Sequence, residues 1–153
     1  MKQLTISDKE ARKIYPSAIA EIKTILEGTF GKDFFSQKIT DRVKGFEDAC
    51  LETGDDPNDN RFKEGTPDEI AYKKIKVINK ALNELWVPNW NNSSERKWYP
   101  WFYMDSASGF GLDGANFAYA YSDVGSRLCF KTEELAKYAA KQFVDIYKDF
   151  FTL

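Results

Sequence analysis

Histidine is absent from all 153 residues. That single absence removes Ser-His-Asp and Cys-His nucleophilic systems, HExxH zinc sites and histidine general bases together. Cysteine is scarce: Cys50 and Cys129 stand far apart and form no CxxC or other ligand spacing. A reduced, cytoplasmic setting is the expectation. The opening stretch MKQLTISDKEARK has no apolar signal core, and no run approaches the ~20 apolar residues of a membrane span, so no membrane role is expected. A formal net charge of -2 gives no global field for polyanions, and a nucleic-acid role would need a local basic patch. Carboxylate-only or lysine-based chemistry survives, but no acid/base pair of recognisable spacing points to it. The chain is expected to be no enzyme and to need no cofactor or metal.

What the chain does have is aromatic rings. All four tryptophans fall between Trp86 and Trp101, and half of all Phe, Tyr and Trp residues lie from Trp86 to Phe130, interleaved with Arg96, Lys97, Arg127 and Lys131. Such a segment is either the densest part of a core or a surface that stacks a ligand. The rest is ordinary: 42% hydrophobic and 30% charged residues over this length suit one globular domain, 1–153.

Periodicity and caps predict helices first. Ser7-Asp8-Lys9-Glu10 has capping-box spacing ahead of Ala11, Ile14 and Tyr15. Pro16 should kink or restart that helix, and Ala18, Ile22, Ile25 and Leu26 continue a stripe toward Gly28 and Gly31. A second helix is expected from near Thr40 to Gly54, and a third from the Thr66-Pro67-Asp68-Glu69 start to about Trp86, with Ala71, Ile75, Ile78, Leu82 and Leu85 inward. Lys73, Lys76 and Lys80 then share a solvated face. Between them, Asp55-Asp56-Pro57-Asn58-Asp59-Asn60 resembles a calcium loop only superficially. Arg61 and Pro67 occupy the places where an EF-hand needs Gly and Glu.

The period then becomes alternating. Strands are expected at 97–104, where Pro100 restricts pairing, at about 115–122 and at about 126–131, followed by a last helix capped by Thr132, with Leu135, Ala139, Phe143, Ile146 and Phe150 inward. The predicted architecture is α+β: N-terminal helices over about 1–86, then a small three-stranded antiparallel meander with a C-terminal helix packed on it over about 97–153. Gly109-Phe110-Gly111-Leu112-Asp113-Gly114 matches GxGxxG, but a strand-like segment follows it instead of a helix, so it is expected to be a flexible hairpin loop. Even-length hairpin loops between the last two strands would set Phe117, Tyr119 and Tyr121 against Leu128 and Phe130, in the core. Trp86 extends a buried stripe, Trp90 sits in a polar loop, and Trp98 and Trp101 take opposite faces unless Pro100 introduces a bulge.

Certain residues also carry a resemblance. Phe46-Glu47-Asp48-Ala49-Cys50, Ala81-Leu82-Asn83-Glu84, Trp90-Asn91, Tyr99-Pro100-Trp101-Phe102 and Gly125-Ser126-Arg127-Leu128-Cys129-Phe130-Lys131 resemble a family of short proteins of gut bacteria, associated with phages and mobile elements. Glu134-Leu135-Ala136, Gln142-Phe143 and Tyr147-Lys148-Asp149-Phe150 extend it over nearly the full length. The resemblance implies a phage-linked accessory or structural protein of the cytoplasm or virion, and brings no catalytic residue with it. The combined expectation is a protein that binds a protein partner or itself, through Trp90, Arg96, Lys97, Trp98, Trp101, Arg127 and Lys131. Two alternatives stay open: a single-stranded nucleic-acid binder that stacks bases on Trp98 or Trp101, and a protein that sequesters a small nucleotide signal.

Overall fold

The computed structural model describes residues 5–84, 86–104, 109–121 and 128–152. The chain divides into two compact units, one ending at Lys38 and one beginning at Ile39. That boundary falls inside the helical part, not at the change from helix to strand.

In the first unit α1 (Asp8–Ile14) starts on the expected capping box: the Glu10 N–H donates to Ser7 Oγ at 3.3 Å and the Glu10 carboxylate accepts the Ser7 N–H at 3.1 Å. Pro16 converts the chain to a 3-10 turn, Tyr15–Ser17, before α2 (Ala20–Phe30) and α3 (Lys32–Ser36). Aromatic stacking holds these short helices. Tyr15 lies on Phe35 with ring centroids 4.0 Å apart, Phe30 on Phe34 at 4.9 Å, and the Arg12 guanidinium sits 3.6 Å above Phe34. Of the unit's described residues only Ala11 and Leu26 are buried.

The second unit contains α4 (Ile39–Arg42), α5 (Phe46–Thr53), a 3-10 turn at Asn60–Phe62, α6 (Pro67–Leu82), strands β1 (Lys97–Tyr103) and β2 (Gly111–Ala118), α7 (Glu133–Gln142) and α8 (Val144–Thr152). Helix α6 is its axis. Ala71, Ile75, Ile78 and Leu82 are buried as their spacing requires, and Val77, Asn79 and Ala81 are buried too, so the helix is covered on more than one side. It ends at Leu82, four residues earlier than its stripe implied. Glu84 then turns with φ +55, a left-handed conformation unusual without glycine. Its carboxylate bridges Arg42 and Lys131, each at 3.0 Å. The oxygen-rich loop satisfies itself: Asp55 accepts from Thr53 and Arg61, and Asp59 accepts the Arg61 N–H.

The expected single C-terminal helix is two, α7 and α8, because Phe143 leaves helical geometry at φ -119, ψ 31. Its apolar row survives the break: Leu135, Ala139, Phe143 and Tyr147 are buried, with Ile146 and Phe150 packed beside them. Thr132 caps α7 through the Leu135 N–H at 3.3 Å. From α7, the Tyr138 hydroxyl shares its proton between the Thr40 and Val43 carbonyls, and Gln142 donates to the Lys44 carbonyl. These bonds fill the acceptors that the end of α4 leaves open.

The sheet differs most from expectation. Among the described residues it has two strands, β1 antiparallel to β2, and residues 128–131 of the expected third strand do not form one. Phe130 makes only an isolated bridge, to Trp98, on the edge of β1 away from β2. The Trp98 N–H donates to the Phe130 carbonyl at 3.0 Å and the Phe130 N–H donates back at 2.6 Å. In an antiparallel ladder the next such pair would be Pro100 with Leu128, and proline has no N–H to give. Pairing therefore stops after one step. The other side of the same segment is held by α6: Asn79 and Asn83 both donate to the Cys129 carbonyl at 2.8 Å, and Asn83 Oδ1 accepts the Lys131 N–H at 3.0 Å. Two side-chain amides thus stand where a neighbouring strand would be.

Strand β2 is also displaced from its expected place at 115–122. Gly111 and Gly114 lie within it, so the GxGxxG stretch is largely strand, with only Gly109 at positive φ, +76. Tyr119 and Tyr121 fall beyond its end and are exposed, Tyr121 by 87%. Their expected place in the core is therefore wrong. Pairing with residues 126–131 would have buried them, whereas β2 pairs with β1.

Candidate functional site

Alternation along β1 sorts its side chains by parity. Trp98, Pro100 and Phe102 turn to the helices. There Trp98 meets Phe117 with centroids 4.8 Å apart, and Phe102 stacks on Phe110 at 4.7 Å and leans on Tyr147 at 5.0 Å. Tyr99, Trp101 and Tyr103 turn the other way. Trp101 and Tyr103 are each 52% exposed, and the Tyr99 and Trp101 rings are 6.4 Å apart. The expected division of Trp98 and Trp101 between opposite faces therefore holds. The bulge falls not at Pro100 but across from Trp101, where Asp113 is the extra residue of β2.

Glycines make this outer face open. Trp101 stands opposite Gly114 and Tyr103 opposite Gly111. A Cβ built on either glycine would meet nothing within 4 Å. Neither register partner puts a side chain beside the ring opposite it. The bulge residue, Asp113, accepts the Tyr103 phenol proton, and that bond raises the phenol's pKa above its ordinary value. Opposite Tyr99, Asn116 turns its Oδ1 to the Phe117 N–H at 2.8 Å, and its amide N–H groups meet no acceptor among the described residues.

The three described basic residues expected beside these rings, Arg96, Lys97 and Lys131, do not gather on this face. Lys97 is 1% exposed. Its ammonium donates to the carbonyls of Asn89, Asn92 and Glu95 at 2.7, 3.0 and 3.0 Å, with the Glu95 carboxylate at 3.3 Å. Three donors and three acceptors close the account of a buried charge. Trp90 finds its reason here: its ring lies 5.3 Å from that ammonium, covering it. Glu95 completes the loop by accepting the Asn89 N–H at 2.8 Å. Arg96 stacks over Phe117 at 4.6 Å and near Trp98 at 5.8 Å, both of which face the helices. Lys131 is tied to Glu84, and Arg127 lies outside the described residues.

Both thiols are buried, and burial pushes Cys50 and Cys129 up to about 11. They stay protonated near neutral pH and are poor nucleophiles. Three contributors to the site escaped the sequence reading. Gly114 and Asp113 shape the outer face, and the Asn79–Asn83 pair pins the segment beside Trp98. Only the last left a signal, two asparagines four residues apart within a buried helical stripe.

The chain matches no family model, no curated protein and no solved structure.

Proposed function

We propose that this chain is a non-enzymatic binding protein, a phage-associated accessory or structural component of the bacterial cytoplasm or virion. It takes a protein partner on the outer face of the β1–β2 hairpin. The observation that carries the reading is Trp101, half exposed opposite Gly114 and flanked by Tyr99 and Tyr103. Tryptophan and tyrosine are the residues most enriched where binding energy concentrates, because they offer large rigid contact area. Phage association is supported by the sequence resemblance alone.

The nucleic-acid alternative has less support, because two of its four cations are committed elsewhere. Base stacking on Trp101 needs cations along the same track, and among the described residues Lys97 and Lys131 are engaged elsewhere.

The test places a photo-crosslinking phenylalanine analogue at Tyr103 or at the exposed Lys141 on α7, in cells carrying the native element. A discrete adduct from position 103, absent from position 141 and lost when Trp101→Ala is added, is the expected result. No adduct from 103, or the same adduct from both positions, sinks the proposal.

A further inference from the structure

We propose that Arg42 and Lys131 form a binding site for a terminal phosphate group, and that the Glu84 carboxylate fills it in the free protein. None of the three belongs to the hairpin face, so the two sites stand or fall separately. Three places in the second unit bring the groups together. Arg42 ends α4, Glu84 lies two residues past α6, and Lys131 stands just ahead of α7 with its N–H held by Asn83 Oδ1 at 3.0 Å. Arg42 Nη2 donates to Glu84 Oε1 and Lys131 Nζ donates to Oε2, each at 3.0 Å. Arg42 Nη1 is engaged by Glu52.

Two observations mark Glu84 as a stand-in for another anion. The first is an unfilled donor. In a guanidinium the Nε–H lies on the same edge as Nη2, and that edge grips an oxyanion through two parallel bonds. Arg42 Nε is buried and has no acceptor among the described residues. Glu84 commits one oxygen to Nη2 and the other to Lys131, and Nε is left over at the cost of an unpaired buried donor. The second is the backbone. Among the described residues Glu84 is the one non-glycine at positive φ, a conformation that suits glycine and that gathers at ligand clamps. Its side chain is 46% exposed, which gives it a path into solvent.

The donor count selects the ligand. Arg42 Nε and Nη2 with Lys131 Nζ ask for three oxygens, and a phosphate monoester has three free ones. A phosphodiester has two, so the same count disfavours a nucleic-acid backbone. Charge agrees: once Glu84 swings out, two cations stand against the Glu52 carboxylate, and the excess positive charge favours a phosphate dianion.

The experiment titrates the full ¹⁵N-labelled chain at constant ionic strength with inorganic phosphate, phenyl phosphate, adenosine monophosphate, dimethyl phosphate and acetate. The Arg42 Nε–H and Lys131 amide resonances report binding. Expected is a saturable shift of both with the first three probes, in the millimolar range, and a much weaker response to the last two. Equal affinity for those three identifies the phosphate group alone as the ligand, and a clear preference for an ester identifies an organic phosphate. Glu84→Gly removes the competing carboxylate and fits the backbone, so it should tighten phosphate binding by about tenfold. Arg42→Lys keeps the charge and loses the two-bond edge, so binding should vanish from the Lys131 amide. Melting temperatures show which variants are folded. No saturable shift in the native chain or in folded Glu84→Gly overturns the inference, as does acetate or dimethyl phosphate binding as tightly as phosphate. An affinity unchanged in Glu84→Gly would make the carboxylate a structural link only, and overturns it too.

Discussion

The two faces of β1 carry nearly the same chemistry to opposite ends. Trp98 and Phe102 look inward onto Phe117, Phe110 and Tyr147, while Tyr99, Trp101 and Tyr103, one residue out of step, look outward, the last two opposite glycines. Residue type does not separate core from contact surface here, since aromatic rings fill both. What separates them is the opposite strand and what stands behind it. Inward rings face side chains from β2, α8 and the loop before β2, whereas outward Trp101 and Tyr103 stand opposite positions without a side chain. An aromatic surface is made as much by the glycines across from it as by the rings themselves.

Substitutions can break or sharpen that contrast. The largest effect belongs to the inner face: Phe102→Ala should cost about 3 kcal/mol of stability, because it opens space among Phe110, Tyr147 and Phe151. Urea unfolding measures this, and a loss below ~1 kcal/mol would mean the inner face is not core. Lys97 shares the outward parity yet is buried by its own loop, so Lys97→Met should cost about 2–3 kcal/mol by leaving three loop carbonyls without a donor. The Trp90 indole should become more accessible to acrylamide in that variant, and an unchanged quenching constant would contradict the cradle.

Beneath Phe102 the sign reverses. The Tyr147 hydroxyl is buried with no partner among the described residues, so Tyr147→Phe should raise stability by about 1 kcal/mol, seen as a melting temperature several degrees higher. Destabilisation there would show that the hydroxyl has an unseen partner. The smallest effect is expected outside: Trp101→Ala should change stability by less than ~0.5 kcal/mol, as for other surface positions. A larger loss would place Trp101 with the core and remove it from the proposed contact face.

Much of this was legible in the chain, and the parts that were not share a cause. Caps at Ser7, Thr132 and Gly54 act within a few residues, so their signals are local and they appear where expected. The opposite facing of Trp98 and Trp101 follows from strand geometry alone. The third strand was misread because proline disrupts a ladder only on the side toward which its N–H would have pointed. That side is fixed by which neighbour comes first, a long-range fact. Gly111 and Gly114 looked like loop because glycine has little strand preference of its own. Lys97 looked like a surface cation, since nothing local announces that carbonyls of Asn89 and Asn92 will converge on it. Of the candidate site, Trp101 was found, while its glycine floor and the removal of the cations from it were not.

Pro100 has one more consequence, for the chain before it folds. Residues Lys97 to Tyr103 are rich in strand-forming aromatic rings and carry one charge, the composition that stacks copies of a segment into cross-β fibrils. Proline at the centre denies every such stack a main-chain bond at its middle rung. The residue that keeps the sheet at two strands in the native protein is also the one that keeps its most adhesive segment from templating itself during synthesis.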